Sequence, residues 1–378
     1  MNDTTIDCAI VGGGLAGLTL AVQLADAGCS VIVFEKEKYP FHKVCGEYVS
    51  MESYAFLERI GVRLSTLNLP MINTLKISAP NGNSMTQPLE LGGFGISRYL
   101  LDTTLADLAQ KKGVVLLQET KVTDVSFENE LFTIKTSKNN YRARVACGTY
   151  GKYSLLDKKL NRKSTNTVLN NRKNYVAVKY HVKAELPDNQ IELHNFKGGY
   201  CGISKVDGDK HCMCYLTSSR NLKDNHNDIK QMEKNVLMKN PFLKKHFSEA
   251  TFLYEQPLTI SQITFAKKTA IESHLLMLGD SAGTIAPLCG NGMSMAMQAS
   301  FKAFSLIEDY LNHRISRQRM EFLYSKEWNT LFLNRIKAGN FIQYLSGKET
   351  LTNIVIRVLK KTPIITRKLI RLTHGNRF

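Results

Sequence analysis

The run Gly12-Gly13-Gly14-Leu15-Ala16-Gly17 constrains this chain more than any other stretch. Before it, Asp7 to Val11 is a short apolar run suited to a strand buried on both faces. After it comes a helical pattern with Leu18, Ala21, Val22 and Ala25 on one face, closed at Gly28. Val31-Ile32-Val33-Phe34 reads as a second buried strand, and Glu35 stands at its end. Each glycine has a physical purpose: Gly12 makes the tight turn, Gly14 lets a pyrophosphate approach the backbone, and Gly17 lets the helix pack close to the strand. The helix N-terminus adds free N–H groups and a partial positive charge. A carboxylate at the end of the second strand is placed to accept hydrogen bonds from an adenosine ribose. The unit predicts a dinucleotide site formed by Gly12, Gly14, Leu15, Ala16, Gly17, Glu35 and the adjoining Lys36. It leaves open whether the dinucleotide carries nicotinamide or flavin.

Other properties narrow the class. Cys8 to Ala25 carries no charge, but the four glycines inside it each cost a helix about 1 kcal/mol, which argues against a spanning helix or a signal peptide. Fifty Lys and Arg against 33 Asp and Glu give a net charge of +17, an excess that attracts nucleic acid, anionic membranes or anionic cofactors. The interleaving of aromatic and basic residues that RNA modules use is not evident, so no nucleic-acid partner is expected. Eight cysteines without CxxC spacing predict neither a disulfide scaffold nor a zinc cage, and so no metal and a reducing, cytoplasmic setting.

A second motif points to the flavin. In 274–300, Leu275 to Leu278 reads as a strand, Gly279-Asp280 as a turn, and Pro287 and Gly290-Asn291-Gly292-Met293 lead into a helix. Here the chain resembles the flavoprotein superfamily of geranylgeranyl reductases, class A flavin monooxygenases and flavin-dependent halogenases. The resemblance implies FAD as cofactor, with Asp280 on the ribityl chain and Gly290 to Met293 at the N1/C2=O edge of the ring. A helix N-terminus there would stabilise the negative charge of a reduced flavin. By the same resemblance Arg98, in Ile96-Ser97-Arg98, contacts the nucleotide, and Val122 opens the strand whose backbone holds the adenine. The segment Pro40-Phe41-His42-Lys43-Val44-Cys45-Gly46 is similar to one in the geranylgeranyl reductase branch, where the Cys-Gly pair lies beside the isoalloxazine. That places Lys43, Cys45 and Gly46 in the site. Two features depart from the family. The Asp of the middle fingerprint is absent around Gly148-Thr149-Tyr150-Gly151, which puts the electron source, NAD(P)H or another reductant, in doubt. Trp328 is the only tryptophan, so the Trp-x-Trp segment of halogenases is missing.

The fold expected is α/β: a glutathione-reductase-type, Rossmann-like FAD-binding domain, an antiparallel β-sheet substrate domain, and C-terminal helices. The FAD-binding domain is expected over 1–72, 96–157 and 268–312, the substrate domain over 73–95 and 158–267, and the helical segment over 313–378. Lys158 to Asn174 reads as a polar crossing between lobes. Alternation predicts strands at 175–184, 190–196, 199–206 and 210–217, with Asp207-Gly208 as a type I′ hairpin signal. Tyr180, His194, Tyr200, Cys201 and Cys212 are candidate pocket residues, and Cys45, His194 and Tyr200 are the candidates for catalysis. Residues 353–378 hold seven basic side chains and no acidic one among many aliphatics, an amphipathic surface suited to peripheral membrane contact. The function implied is a monooxygenase of secondary metabolism, hydroxylating a lipophilic aromatic or related molecule through a flavin C4a-hydroperoxide. The alternative is a reductase of C=C bonds in a prenyl or other lipid. A flavin- or RNA-binding protein without turnover is the remote third.

Overall fold

A computed structural model describes residues 5–152, 154–162, 174–263, 265, 268–346 and 348–378. The chain opens with β1 (Ile6–Val11), α1 (Leu15–Asp26) and β2 (Val31–Phe34), then β3 (Tyr48–Ser50), α2 (Tyr54–Arg59), β4 (Met71–Ser78) and β5 (Ser84–Gly95). α3 (Arg98–Lys111), β6 (Val115–Leu117), β7 (Val122–Glu128), β8 (Leu131–Thr136), β9 (Asn140–Gly148) and α4 (Leu155–Lys159) follow. Next come β10 (Tyr175–Lys183), β11 (Gln190–Phe196), β12 (Gly199–Val206), β13 (Lys210–Ser218), α5 (Ser219–Lys223), α6 (Ile229–Asn235) and α7 (Pro241–Glu249). β14 (Thr251–Phe252), β15 (Leu258–Ile263), β16 (Ile271–Glu272) and β17 (Leu275–Met277) lead to α8 (Gly292–Leu311), α9 (Arg317–Ser346), α10 (Glu349–Lys361) and α11 (Pro363–Thr373).

The first sheet has the order β16-β17-β9-β1-β2-β6. β1 pairs in parallel with β2 from Cys8↔Val31 to Val11↔Phe34, and with β9 up to Val11↔Gly148. Strands central to such a sheet are covered on both faces, which is why Cys8, Ala9 and Ile10 are fully buried. α1 packs on α8, where Thr19 Oγ1 meets Ser300 Oγ at 2.7 Å.

The second sheet runs β14-β10-β13-β12-β11-β4-β5-β3, with β15 beside β10. It is antiparallel except that β4 and β11 pair in parallel, from Gln190↔Thr74 to His194↔Ser78. β3 and the start of β4, inside 1–72, pair in this sheet. One face carries Val178, Tyr180, Cys201 and Tyr215 against Met232, Leu237 and Leu243 of the helical layer. The opposite face carries Ala177, Leu193, Tyr200 and Leu216, against Val44 and Leu288.

The strands predicted over 175–217 stand as expected, but the hairpin after β12 corrects the type I′ reading. Val206 pairs with Lys210, so three residues close the loop, and of Asp207 and Gly208 only Gly208 has positive φ. Asp207 is held instead by its carboxylate, which accepts from the Ser97 backbone N–H and hydroxyl. The polar crossing predicted at 158–174 lies largely outside the described residues. Of its described part, Arg162 is 2% exposed and donates to Asp157 at 3.0 Å and to the Ser281 carbonyl at 2.8 Å, so it braces the core rather than facing water.

Of the C-terminal helices, α9 packs on the first sheet, where Tyr324 donates to the Met277 carbonyl at 2.8 Å, while α10 and α11 lie against β5 of the second sheet. Arg335 of α9 donates to Glu52 at 3.1 Å, and Glu52 also accepts from Asn291 Nδ2 at 2.7 Å and from the Gly375 N–H at 2.8 Å. This buried hub ties the chain's last residues to the turn that opens α8.

Candidate cofactor and substrate site

The glycine turn is shaped by what surrounds each glycine. A Cβ on Gly12, where φ is +113°, would fall 2.7 Å from the Thr149 backbone; one on Gly17 would fall 2.2 Å from the Gly12 carbonyl oxygen. A Cβ on Gly14 would meet only Arg98 Nη2, at 3.9 Å. Gly12 and Gly17 are thus required by the fold, whereas the space above Gly14 is open. Thr149, in the stretch that lacks the family's Asp, latches the turn by donating to the Gly12 carbonyl at 2.6 Å. No side chain caps α1, and its first turn carries no acidic residue, so its N-terminal donors face that space.

Glu35 and Arg98 complete this half. The Glu35 carboxylate accepts from the Gly13 N–H at 2.9 Å and the Glu37 N–H at 3.1 Å. Tyr39 donates its hydroxyl to the Gly13 carbonyl. Arg98 starts α3 and is gripped by Asp102 one turn on, at 2.7 and 2.8 Å, while Lys43 reaches the same carboxylate at 2.9 Å. Burial alone would raise the Asp102 carboxyl, but Arg98 and Lys43 overcome it and hold the group below the usual carboxylate range. Two cations against one anion leave a positive charge above Gly14. Lys36 is exposed and pairs with Glu37 at 3.5 Å. Val122 opens β7 just after a stretch that lies along 35–37, where Thr120 N–H donates to the Glu35 carbonyl at 2.9 Å.

The second half lies between two helix starts. Gly279, with φ +61°, is wedged between Ala16 of α1 and Ala296 of α8, each within 3.5 Å of where its Cβ would be. That carries the half-buried Asp280 to the junction, where its carboxylate accepts no hydrogen bond from the described residues. Pro287 begins a short turn, and Gly290 leaves it with φ +65°. α8 then starts with no side-chain cap and no acid in its first turn. Asn291 is fully buried, yet its Oδ1 has no hydrogen-bond partner among the described residues. Cys45 Sγ lies 3.7 Å from Met293 Sδ, so the 39–47 segment meets the α8 start, and a Cβ on Gly46 would meet nothing.

FAD fits this surface. It brings a pyrophosphate for the uncapped α1 start and Arg98, a polyol for Asp280, and ring carbonyl groups for the α8 start. The structure sets Arg98 beside Gly14, Gly279 beside Ala16 and Cys45 beside Met293, while Lys36 stays exposed.

The catalytic candidates divide. Tyr200 faces the cofactor loops with Val44 and Leu288. His194 lies on the opposite face of β11, a correction to its candidacy: it gives Nε2–H to Glu192 at 2.7 Å, meets Ser78 Oγ at 2.8 Å and stacks on Phe242 of α7. Tyr180 and Cys201 point into that same layer. Cys212 faces the loops and donates its thiol to the Cys45 carbonyl at 3.2 Å.

Sequence reasoning did not find the group beneath Cys45. Glu47, in the left-handed region at φ +57°, is completely buried; its carboxylate takes the Lys179 ammonium, His181 Nε2 at 2.6 Å and the Arg98 backbone N–H at 2.7 Å. Burial pushes the Glu47 carboxyl up, but the His181 hydrogen bond and Lys179 outweigh it and leave it below its ordinary range. Lys179 also donates to the Lys43 carbonyl at 3.1 Å, so the group holds both ends of 43–47. No local signal joins residues so far apart in sequence; the alternation of β10 places Lys179 and His181 on one face, and that was the available clue.

Comparison with known proteins agrees with the geometry. Residues 5–161 match the FAD binding domain family. The chain is 25% identical to conditioned medium factor receptor 1 of Dictyostelium discoideum over 88% of its own length and 69% of that protein's. It is 21% identical to the digeranylgeranylglycerophospholipid reductase of Methanococcus vannielii, over 97% of both chains. It is 23% identical to the kynurenine 3-monooxygenase of Christiangramia forsetii, over 86% of this chain and 75% of the relative. Among solved structures, a flavin-dependent brominase superposes with TM-score 0.78 at 17% identity, over 98% of this chain and 93% of its own. A geranylgeranyl bacteriochlorophyll reductase-like protein of Thermoplasma acidophilum gives 0.76 at 18%, over 99% and 96%. At these identities the two structures establish a shared fold. Trp328, the one tryptophan, packs against Gly283 in the core.

Proposed function

We propose that this chain, an FAD-dependent oxidoreductase, hydroxylates a lipophilic aromatic or related small molecule. The observation that carries this reading is the apolar wall in which Ala177, Leu193, Tyr200 and Leu216 of the sheet meet Val44 and Leu288 of the two cofactor loops. In this reading Gly14, the α1 start and Arg98 hold the pyrophosphate, Glu35 the ribose, Val122 the adenine, Asp280 the ribityl chain and Gly290 to Met293 the ring edge. Bound FAD, reduced by NAD(P)H or another donor, would supply the electrons that activate oxygen. The chain's own residues bind the substrate's apolar body and keep water out. Burial raises the Tyr200 phenol well above its ordinary value, so that hydroxyl stays uncharged at neutral pH. Such groups are weak acids. Saturating an isolated C=C bond needs a proton delivered to carbon, whereas oxygen transfer to an electron-rich ring asks no proton of the wall for that carbon.

The second reading, a C=C reductase, draws on Lys43-Val44-Cys45-Gly46 and on the contact of Cys45 with Met293, a residue of the proposed ring edge. The full-length likeness to a digeranylgeranylglycerophospholipid reductase points the same way. Turnover of alkylphenols and prenyl lipids, with and without oxygen, separates the two. Oxygen-dependent hydroxylation supports the first reading; anaerobic saturation of a prenyl chain replaces it.

Membrane contact belongs to the same proposal. Ile354, Val358, Ile364, Ile365 and Leu372 of α10 and α11 are exposed beside a row of lysines and arginines, although no helix among the described residues is long and apolar enough to cross a membrane. Flotation should show binding to anionic vesicles that weakens with salt. Equal partitioning without residues 353–378 would leave these helices as ordinary packing.

A further inference from the structure

A second cavity, of about 550 Å³, opens between β5 and the C-terminal helix α11. Its volume is in the range of ligand pockets. Arg367, Arg371 and Arg377 line it against one acid, Glu90, which accepts from Arg371 at 2.6 Å and lies 3.9 Å from Arg367. Burial lowers the His374 pKa, so that ring adds no charge at neutral pH. The cavity is therefore net positive.

Tyr48 joins the cavity to the turn that opens α8. Tyr48 lines the cavity and is 6% exposed. The Tyr48 ring comes within 3.1 Å of where a Cβ on Gly290 would sit, at the turn that opens α8. Leu288, two residues earlier, belongs to the apolar wall of the substrate side. The end of α11, beside the cavity, is also tied to that turn: Asn291 Nδ2 donates to the Thr373 carbonyl at 2.9 Å. Outside, the exposed aliphatics of α11 flank the arginines. The arginine-lined cavity thus shares Tyr48 with the loop of the proposed ring edge.

We propose that this cavity binds the anionic head of an amphiphilic substrate, a phosphate or similar oxyanion on a hydrocarbon chain, with the head at Arg367 and Arg377 and the chain directed toward Tyr48. The proposal rests on the reading of this chain as an oxidoreductase of lipophilic molecules and names the substrate class. Arginine suits it because its planar fork matches phosphate oxygens and is weakly hydrated. Glu90 sets the strength by competing for Arg371 and Arg367.

The test is a titration of the FAD-loaded protein with octyl phosphate, octanol and inorganic phosphate, read by calorimetry and by perturbation of the flavin absorbance band. Octyl phosphate should bind about tenfold or more tightly than either of the others. Arg367→Ala with Arg377→Ala should erase most of that margin, while Glu90→Gln, which adds one net positive charge without removing a cation, should tighten octyl phosphate several-fold. Equal affinity for octyl phosphate and octanol would overturn the proposal. So would inorganic phosphate binding as tightly as octyl phosphate, which would mark a free-anion site, or indifference to the arginine and Glu90 variants. Hydroxylation of a neutral alkylphenol without head-group preference would sink this inference and leave the proposed reaction standing; head-group binding with no oxygen-dependent product would do the reverse.

Discussion

Replacing Arg98 by alanine tests the positive charge above Gly14. Arg98 makes two bonds to Asp102, whose side chain is 1% exposed, and its Nη2 lies 3.9 Å from where a Cβ on Gly14 would sit. Removing one partner of a buried pair costs about 3–5 kcal/mol when the other charge is stranded. Asp102 is not stranded, because Lys43 remains 2.9 Å away. The folding cost should therefore be nearer one charge-assisted hydrogen bond, about 1.5–3 kcal/mol. The FAD complex should lose a further contact of that size to the pyrophosphate, weakening Kd about tenfold to a hundredfold. Thermal denaturation of the apoprotein reads the first quantity and flavin fluorescence quenching on titration with FAD reads the second. Lysine at 98 should recover part of the affinity but not the two-pronged grip. A folded Arg98→Ala variant that loses stability yet binds FAD within about twofold of the parent would refute the reasoning, and Arg98 would then be only a brace for Asp102.

Further outcomes follow from the same geometry. Gly14→Val should fold and lose FAD, whereas Gly17→Ala, whose Cβ would fall 2.2 Å from the Gly12 carbonyl oxygen, should cost about 1–3 kcal/mol of stability; melting with and without FAD checks both. Asp280→Ala should keep the apoprotein intact and weaken FAD about tenfold or more, by equilibrium dialysis, since it removes one charge-assisted acceptor. Asp102 is held below the usual range, so the stability it contributes is complete above about pH 5 and is lost as pH falls through its depressed value. The melting difference between the parent and Asp102→Asn should accordingly stay constant above about pH 5 and shrink below about pH 4; a gap that closes near neutral pH would contradict this.

The legible parts of this chain were those whose information is local. The turn at Gly12 to Gly17, the strand ending at Glu35, the helix beginning at Arg98 and the turn at Gly279-Asp280 each combine a fixed spacing with an apolar period. β10 to β13 were readable by alternation. What stayed hidden depends on tertiary pairing. Nothing near Tyr48 shows that β3 joins β5 in the second sheet, or that β4 lies parallel to β11. Alternation gives two faces but not which one meets the cofactor, so His194 and Tyr200 looked equivalent until Leu193 fell on the side of Val44 and His194 on the side of Phe242. Glu47 and Glu52 were passed over because acidic residues are usually solvated. Each is buried against a distant cation, Lys179 and Arg335 respectively.

The central claim, oxygen transfer to a lipophilic ring at the wall of Tyr200, Val44 and Leu288, is tested most directly by turnover of the FAD-loaded protein under isotopically labelled dioxygen, with mass spectrometry of the product. The account predicts a hydroxylated alkylphenol carrying one oxygen atom from the gas, formed only aerobically. A product that carries no label and forms equally well without oxygen, with two hydrogens gained across a C=C bond, would contradict it.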